Sequence, residues 1–157
     1  MNNLLNSINE TLLMGPGPSS VSPSVYSSIS KATIGHLDPK FIEIMDAIKN
    51  QLQVLIGTKN ELTIPISGTG SAGMEACFVN LIERGENVLI LSNGVFGGRM
   101  IDVCDRLGAN VDSINQTWGK PITPSMVQKK LKNNKYDLVG IVHAETSTGV
   151  LNPISEI

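Results

Sequence analysis

A chain of 157 residues is long enough for one domain with its own core. With 41% hydrophobic and 17% charged residues it has an ordinary soluble composition. A net charge of −2 and 4% aromatic residues offer no basic field for nucleic acid or anionic membrane, and no base-stacking surface.

Residues 1–11 are polar with scattered leucines and read as a loose or short helical arm. The opening decapeptide lacks the basic and apolar regions of a secretory signal, and no run reaches transmembrane length, so the expected location is cytoplasmic. Leu12 to Ser20 contains Gly-Pro-Gly-Pro, which suits neither a helix nor a central strand and predicts a stiff, extended loop. Ser22 and Pro23 open a short helix to about Lys31, and His36 in the following turn reads as structural. A longer helix is predicted from Pro39 to about Ile56, capped by Asp38 and stopped by Gly57. Phe41, Ile44, Met45, Ile48, Leu52 and Leu55 form its apolar stripe, destined for a core or an interface.

Leu62 to Ile66 reads as a buried strand. It breaks at Ser67 and Gly68, and a helix begins near Ala72 with Met74, Phe78, Leu81 and Ile82 on one face. A strand, a small-residue turn and a helix start present free backbone N–H groups to an anion, so the turn predicts a phosphate cup. Gly68, Gly70 and Gly73 also spell the dinucleotide fingerprint. That reading needs an acidic residue at the end of the next strand, which instead ends in Ser92-Asn93-Gly94, while Glu86 precedes it. A Walker loop lacks its Gly-Lys-Ser/Thr.

Beyond the cup, strands Asn87 to Leu91, Asn110 to Ile114 and Asp137 to Val142 alternate with helices Gly98 to Leu107 and Pro124 to Asn133. Apolar strands alternating with helices predict an α/β fold, a mainly parallel sheet flanked by helices. Cys77 and Cys104 read as buried free thiols, and two distant histidines exclude a zinc spacing. Ligands of such sheets bind outside the carboxyl ends of the strands. Three loops meet that condition: Ser67 to Ser71 with its phosphate donors, Asn93 to Arg99 with Phe96 among glycines, and His143 to Gly149 with Thr146 and Ser147 beside Glu145. Together they suit a phosphorylated aromatic heterocycle.

In the stretches L-L-M-G-P-G-P-S, G-H-L-D-P-K-F, S-G-T-G-S-A-G-M-E-A, N-G-V-F-G-G-R and H-A-E-T-S-T-G-V, from Leu12 onward, the chain resembles the N-terminal part of a class V aminotransferase of the alanine–glyoxylate / serine–pyruvate subgroup. The resemblance implies the fold type I of pyridoxal 5′-phosphate (PLP)-dependent transferases. Residues 1–20 would be an arm and Gly-Pro loop, and residues 21–157 the first part of the large PLP-binding domain. It further implies that Thr69, Gly70 and Ser71 bind the phosphate, that Phe96 stacks on the pyridine ring, and that Thr146 reaches its phenolic oxygen. The backbone around Gly17 would lie against the amino acid. Small amino acid and 2-oxo acid substrates and a homodimer are implied for the complete protein, with no metal. Other class V reactions, cysteine desulfuration or phosphonate transamination, and a nucleotide-binding module remain alternatives.

The family's Schiff-base lysine sits in a stretch expected beyond residue 157, so no catalytic residue is assigned. Asn152, Pro153 and Ser155 look like the opening of a further helix, and the expectation is the front portion of a longer protein, inactive by itself.

Overall fold

Residues 4–157 are described by the computed structural model. The chain divides into a first unit ending at Pro65 and a second spanning Ile66–Ile157. Of the predicted arm, Leu4–Ser7 forms a single 3-10 turn, and residues 1–3 lie outside the described residues.

Two α-helices make up the regular part of the first unit. The first, α1, spans Pro23–Ile29, and α2 spans Pro39–Leu55. Asp38 caps α2 as predicted, its carboxylate accepting from the Lys40 N–H at 2.8 Å. Neither helix has a fully buried residue. Phe41, Met45, Ile48 and Leu52 of the expected stripe are half-buried, whereas Ile44 and Leu55 are exposed.

The predicted strand at Leu62 to Ile66 does not form. Leu62 is 83% exposed and Ile64 60%, and the segment is extended without a ladder. Pro65 has no N–H to contribute to a ladder, and among the described residues no strand pairs with the segment. Thr63 alone is buried, its hydroxyl donating to the Asn60 carbonyl at 2.7 Å.

The second unit is the predicted α/β layer structure. Its helices are α3 (Gly70–Leu81), α4 (Val95–Arg106) and α5 (Pro124–Leu131), and its main strands are β1 (Asn87–Ser92), β2 (Asn110–Asn115) and β3 (Leu138–Ile141). The order is β2-β1-β3, with β1 parallel to both neighbours. Alternation along β1 sends Val88 and Ile90 to a core with Phe78, Ile82 and Cys104, from the α3 and α4 side. Leu89 and Leu91 go to the other face, against Ile122 and Val127 at α5. A continuous apolar run is therefore needed, because both faces of β1 are covered.

Met100, Val103, Cys104 and Leu107 line the inner side of α4 as predicted, and Gly108, at φ 82°, ends it in the left-handed region. Two expectations are corrected. Leu81 is exposed, because the chain leaves α3 there and only Ile82 turns back into the core. Cys77 is exposed too, on the outer side of α3, while burial pushes the Cys104 thiol up and keeps it inert. The last element is a hairpin of β4 (Ala144–Glu145) and β5 (Val150–Leu151), joined by a turn with Gly149 at φ 71°. No helix among the described residues is long and apolar enough to cross a membrane.

Candidate cofactor site

The carboxyl ends of β1 and β3 lie side by side, with Leu91 opposite Ile141. At this rim the polypeptide runs from β1 into α4 and from β3 into the hairpin, and α3 begins beside α4. Side-chain bonds link the three segments. Arg99 of α4 donates to the Ser71 hydroxyl at 2.6 Å, and its guanidinium lies 5.9 Å from the centre of the Phe96 ring. The Phe96 N–H in turn donates to the Glu145 carboxylate at 3.2 Å, next to Thr146. Ser71, Arg99, Phe96 and Glu145 are thus linked in one chain of contacts.

Thr69 is the N-cap of α3, its hydroxyl oxygen accepting from the Ala72 N–H at 3.3 Å, and the helix starts at Gly70, two residues before the predicted start. Gly70 and Ser71 occupy the first two helical positions, where backbone N–H groups have no intrahelical acceptor. The segment is exposed through Gly70 and half-buried at Ser71. Phe96 is half-buried and lies inside the first turn of α4, not in a loop, because α4 starts at Val95, three residues before the predicted Gly98. Thr146 is exposed in the hairpin turn. Its neighbours spend their hydroxyls on the protein: Ser147 donates to Glu145 at 2.6 Å and Thr148 to the Asn93 carbonyl at 3.4 Å. Gly17 belongs to the first unit, at φ 153° before a cis Gly17–Pro18 bond.

Of the α3 and α4 starts, only that of α3 is left open to an anion. Those of α4 are closed: the Val95 N–H donates to the Ser147 hydroxyl at 3.0 Å, and the Phe96 and Gly97 N–H groups to Glu145 at 3.2 and 3.3 Å. A carboxylate already sits where a phosphate would, so an anion belongs at α3. Arg99, whose role the sequence left unassigned, brings a positive charge there. It could have been found from its spacing, since residues i and i+3 of one helix share a face and bring Arg99 to Phe96. Behind the rim, Asn93 and Asn152 are both buried at 1% exposure and paired, the Asn93 amide donating to the Asn152 Oδ1 at 3.0 Å. Asn152 also accepts from the Ile122 N–H and donates to the Val142 carbonyl, fixing the loops after β2 and β3 to each other.

The donor set at α3, two N–H groups without an intrahelical acceptor, the Ser71 hydroxyl and a neighbouring guanidinium, has the chemistry that the phosphate of PLP requires. A depression of about 710 Å³ beside Asn87, Asn110 and Tyr136 lies at the opposite end of the sheet and has no such set.

The second unit is an α/β layer structure with the α3 start, Arg99 and Phe96 linked at one strand rim. The chain belongs to the class-V aminotransferase family, whose profile matches residues 21–157. It is 38% identical to alanine–glyoxylate aminotransferase of Rattus norvegicus over 94% of this chain and 36% of that protein. It is likewise 38% identical to (S)-ureidoglycine–glyoxylate transaminase of Bacillus subtilis, over 92% of this chain and 35% of that one. A crystal structure of alanine–glyoxylate aminotransferase from Nostoc sp. superposes with a TM-score of 0.88 at 42% identity, covering 93% of this chain and 39% of the other. The fold is that of PLP-dependent aminotransferases, and the chain spans little more than a third of the length of these relatives.

Proposed function

We propose that this chain is the cofactor-binding portion of a PLP-dependent aminotransferase that moves an amino group from a small amino acid, alanine or serine, to a 2-oxo acid, glyoxylate or pyruvate. The observation that carries the reading is the continuous link from Ser71 through Arg99 and Phe96 to Glu145–Thr146 at one strand rim, in a member of the class-V family. When bound, PLP supplies the electron sink for bond cleavage at the amino acid α-carbon. The residues of this chain bind and orient. The Gly70 and Ser71 N–H groups and the Thr69 and Ser71 hydroxyls hold the phosphate, and Arg99 offsets its charge. Phe96 keeps the ring flat against the protein, and Thr146 donates to the phenolic oxygen.

Glyoxylate is favoured over pyruvate as acceptor because it is the substrate shared by the names of the relatives with different amino donors. A homodimer accounts for the apolar residues left exposed on α2 and at Leu62 and Ile64. A nucleotide-binding reading is disfavoured by Asn93 and Gly94, which occupy the strand end where a ribose-binding carboxylate would stand.

Titration of the 157-residue chain with PLP, followed by absorbance, tests the reading. The expected outcome is weak 1:1 binding, competed by inorganic phosphate, with no single lysine labelled stoichiometrically on borohydride reduction. Arg99→Ala removes a charged partner of the phosphate and should weaken binding about 10-fold or more, as loss of about 1.5–3 kcal/mol requires. Absence of PLP binding overturns the proposal, and a stoichiometric adduct on one lysine overturns the placement of the Schiff-base residue outside this chain.

A further inference from the structure

Glu145 is buried to 1% exposure, and none of the ion pairs among the described residues includes it. A carboxylate buried without a cation is costly unless donors surround it. Four do. Oε2 accepts from the Phe96 and Gly97 N–H groups, and Oε1 from the Ser147 N–H at 3.2 Å and its hydroxyl at 2.6 Å. The sequence makes room for this arrangement at Gly94. A Cβ there would collide with the Glu145 Cγ and stand 2.6 Å from the Ser147 Oγ. Glycine at the N-cap deprives α4 of a local side-chain cap, and Glu145 supplies one from the hairpin.

Resting on the cofactor reading above, we propose that Glu145 is a positioning residue for the cofactor ring. It sets where the Phe96 platform stands relative to the Thr146 hydroxyl. Phe96 hangs from an N–H that Glu145 holds, and Thr146 is the next residue in the chain after Glu145. Two ring contacts separated by about fifty positions in sequence thereby share one rigid anchor. Among the described residues the α3 start is hydrogen-bonded to α4 only through Arg99, so phosphate binding and ring orientation are separable.

The separation is tested on the 157-residue chain and its Glu145→Ala, Glu145→Gln and Ser147→Ala variants, using two probes: PLP and inorganic phosphate. An achiral ring held in one orientation acquires an induced circular dichroism band, which reports orientation and not affinity alone. Expected for Glu145→Ala are a lost or inverted band and PLP binding weakened about 10-fold, with phosphate affinity unchanged. Glu145→Gln, which replaces one acceptor oxygen by a donor, and Ser147→Ala, which removes one of the four donors, should alter the band in the same sense but less. If Glu145→Ala does not fold, by far-ultraviolet dichroism, the two milder variants decide. An unchanged band in the folded variants overturns the positioning role and leaves the cofactor reading standing. Equal losses of phosphate and PLP affinity mark a merely structural role and overturn it too. If the unmodified chain binds no PLP, the cofactor reading fails and the role falls with it.

Discussion

Gly97 and Gly98 are adjacent, both in the first turns of α4, yet they serve different ends. A Cβ on Gly97 would meet the Ser92 Oγ at 2.5 Å and its Cα at 2.7 Å, so the helix could accept it only by moving off β1. A Cβ on Gly98 meets nothing within 4 Å. Gly97→Ala should therefore cost about 1–3 kcal/mol through overpacking. Gly98→Ala should gain about 0.5–1 kcal/mol, because alanine loses less backbone entropy in a helix. Urea denaturation midpoints check both, and equal shifts of the same sign would contradict the packing argument. In the sequence the two glycines look alike, since what separates them is a strand end that reaches only one. The same blindness hid the role of Glu145: its partners lie 48 and 49 positions away, and spacing carries no trace of them.

Among the elements, β1, β2 and β3 and the helices between them were legible to within a few residues, because apolar runs and caps are local signals. Leu62, Ile64 and Ile66 also give an apolar run, yet it forms no strand, since a ladder needs a neighbour and composition does not reveal one. The α4 start was misplaced for a related reason: Gly94 carries no capping side chain, and the cap comes from elsewhere. Strand β2 and helix α5 are tied in a further way that period alone cannot show. Asp112 Oδ2 accepts from the Tyr136 hydroxyl at 2.6 Å and from Lys130 Nζ at 2.7 Å. The bond from Lys130, then that from Tyr136, holds the Asp112 carboxyl below its ordinary value of 3.8. Desolvation, and then the Asp112 carboxylate, push the Tyr136 phenol up to about 12 from 10.0. Between those two values the unfolded chain releases the phenolic proton while the folded one keeps it, so Tyr136 makes stability fall as pH rises. Asp112 acts in the opposite sense. Its contribution is complete above 3.8 and is lost as pH falls through the depressed value. A phenolate absorbance titration should show a late step near 12 that Tyr136→Phe abolishes. In urea melts across pH, Asp112→Asn should flatten the acid-side loss, and a Tyr136→Phe titration retaining the late step would refute the assignment.

At the scale of the whole molecule, stability is unevenly placed. Both hydrophobic clusters lie in the second unit, where Val88, Leu89, Ile90 and Leu91 are all completely buried. Each such side chain contributes about 1.5–3 kcal/mol relative to exposure, so opening β1 amounts to unfolding its unit. The first unit has the 17 residues of α2 with no fully buried side chain. Its Asp38 cap supplies about 1 kcal/mol, and a helix of this length is marginal in water without packing. The two sets of amides should therefore exchange by different routes. In native-state hydrogen exchange, β1 amides should exchange only through global opening, with the full urea dependence of unfolding. Amides of α1 and α2 should exchange through local opening, at a lower free energy and with a shallow urea dependence. Were α2 amides as protected as those of β1, with the same slope, the half-buried faces of Phe41, Met45, Ile48 and Leu52 would be holding far more than their exposure allows. Addition of PLP supplies a second arm. A ligand of the strand rim binds the folded second unit and raises the protection of β1 and of the α3 and α4 starts by mass action.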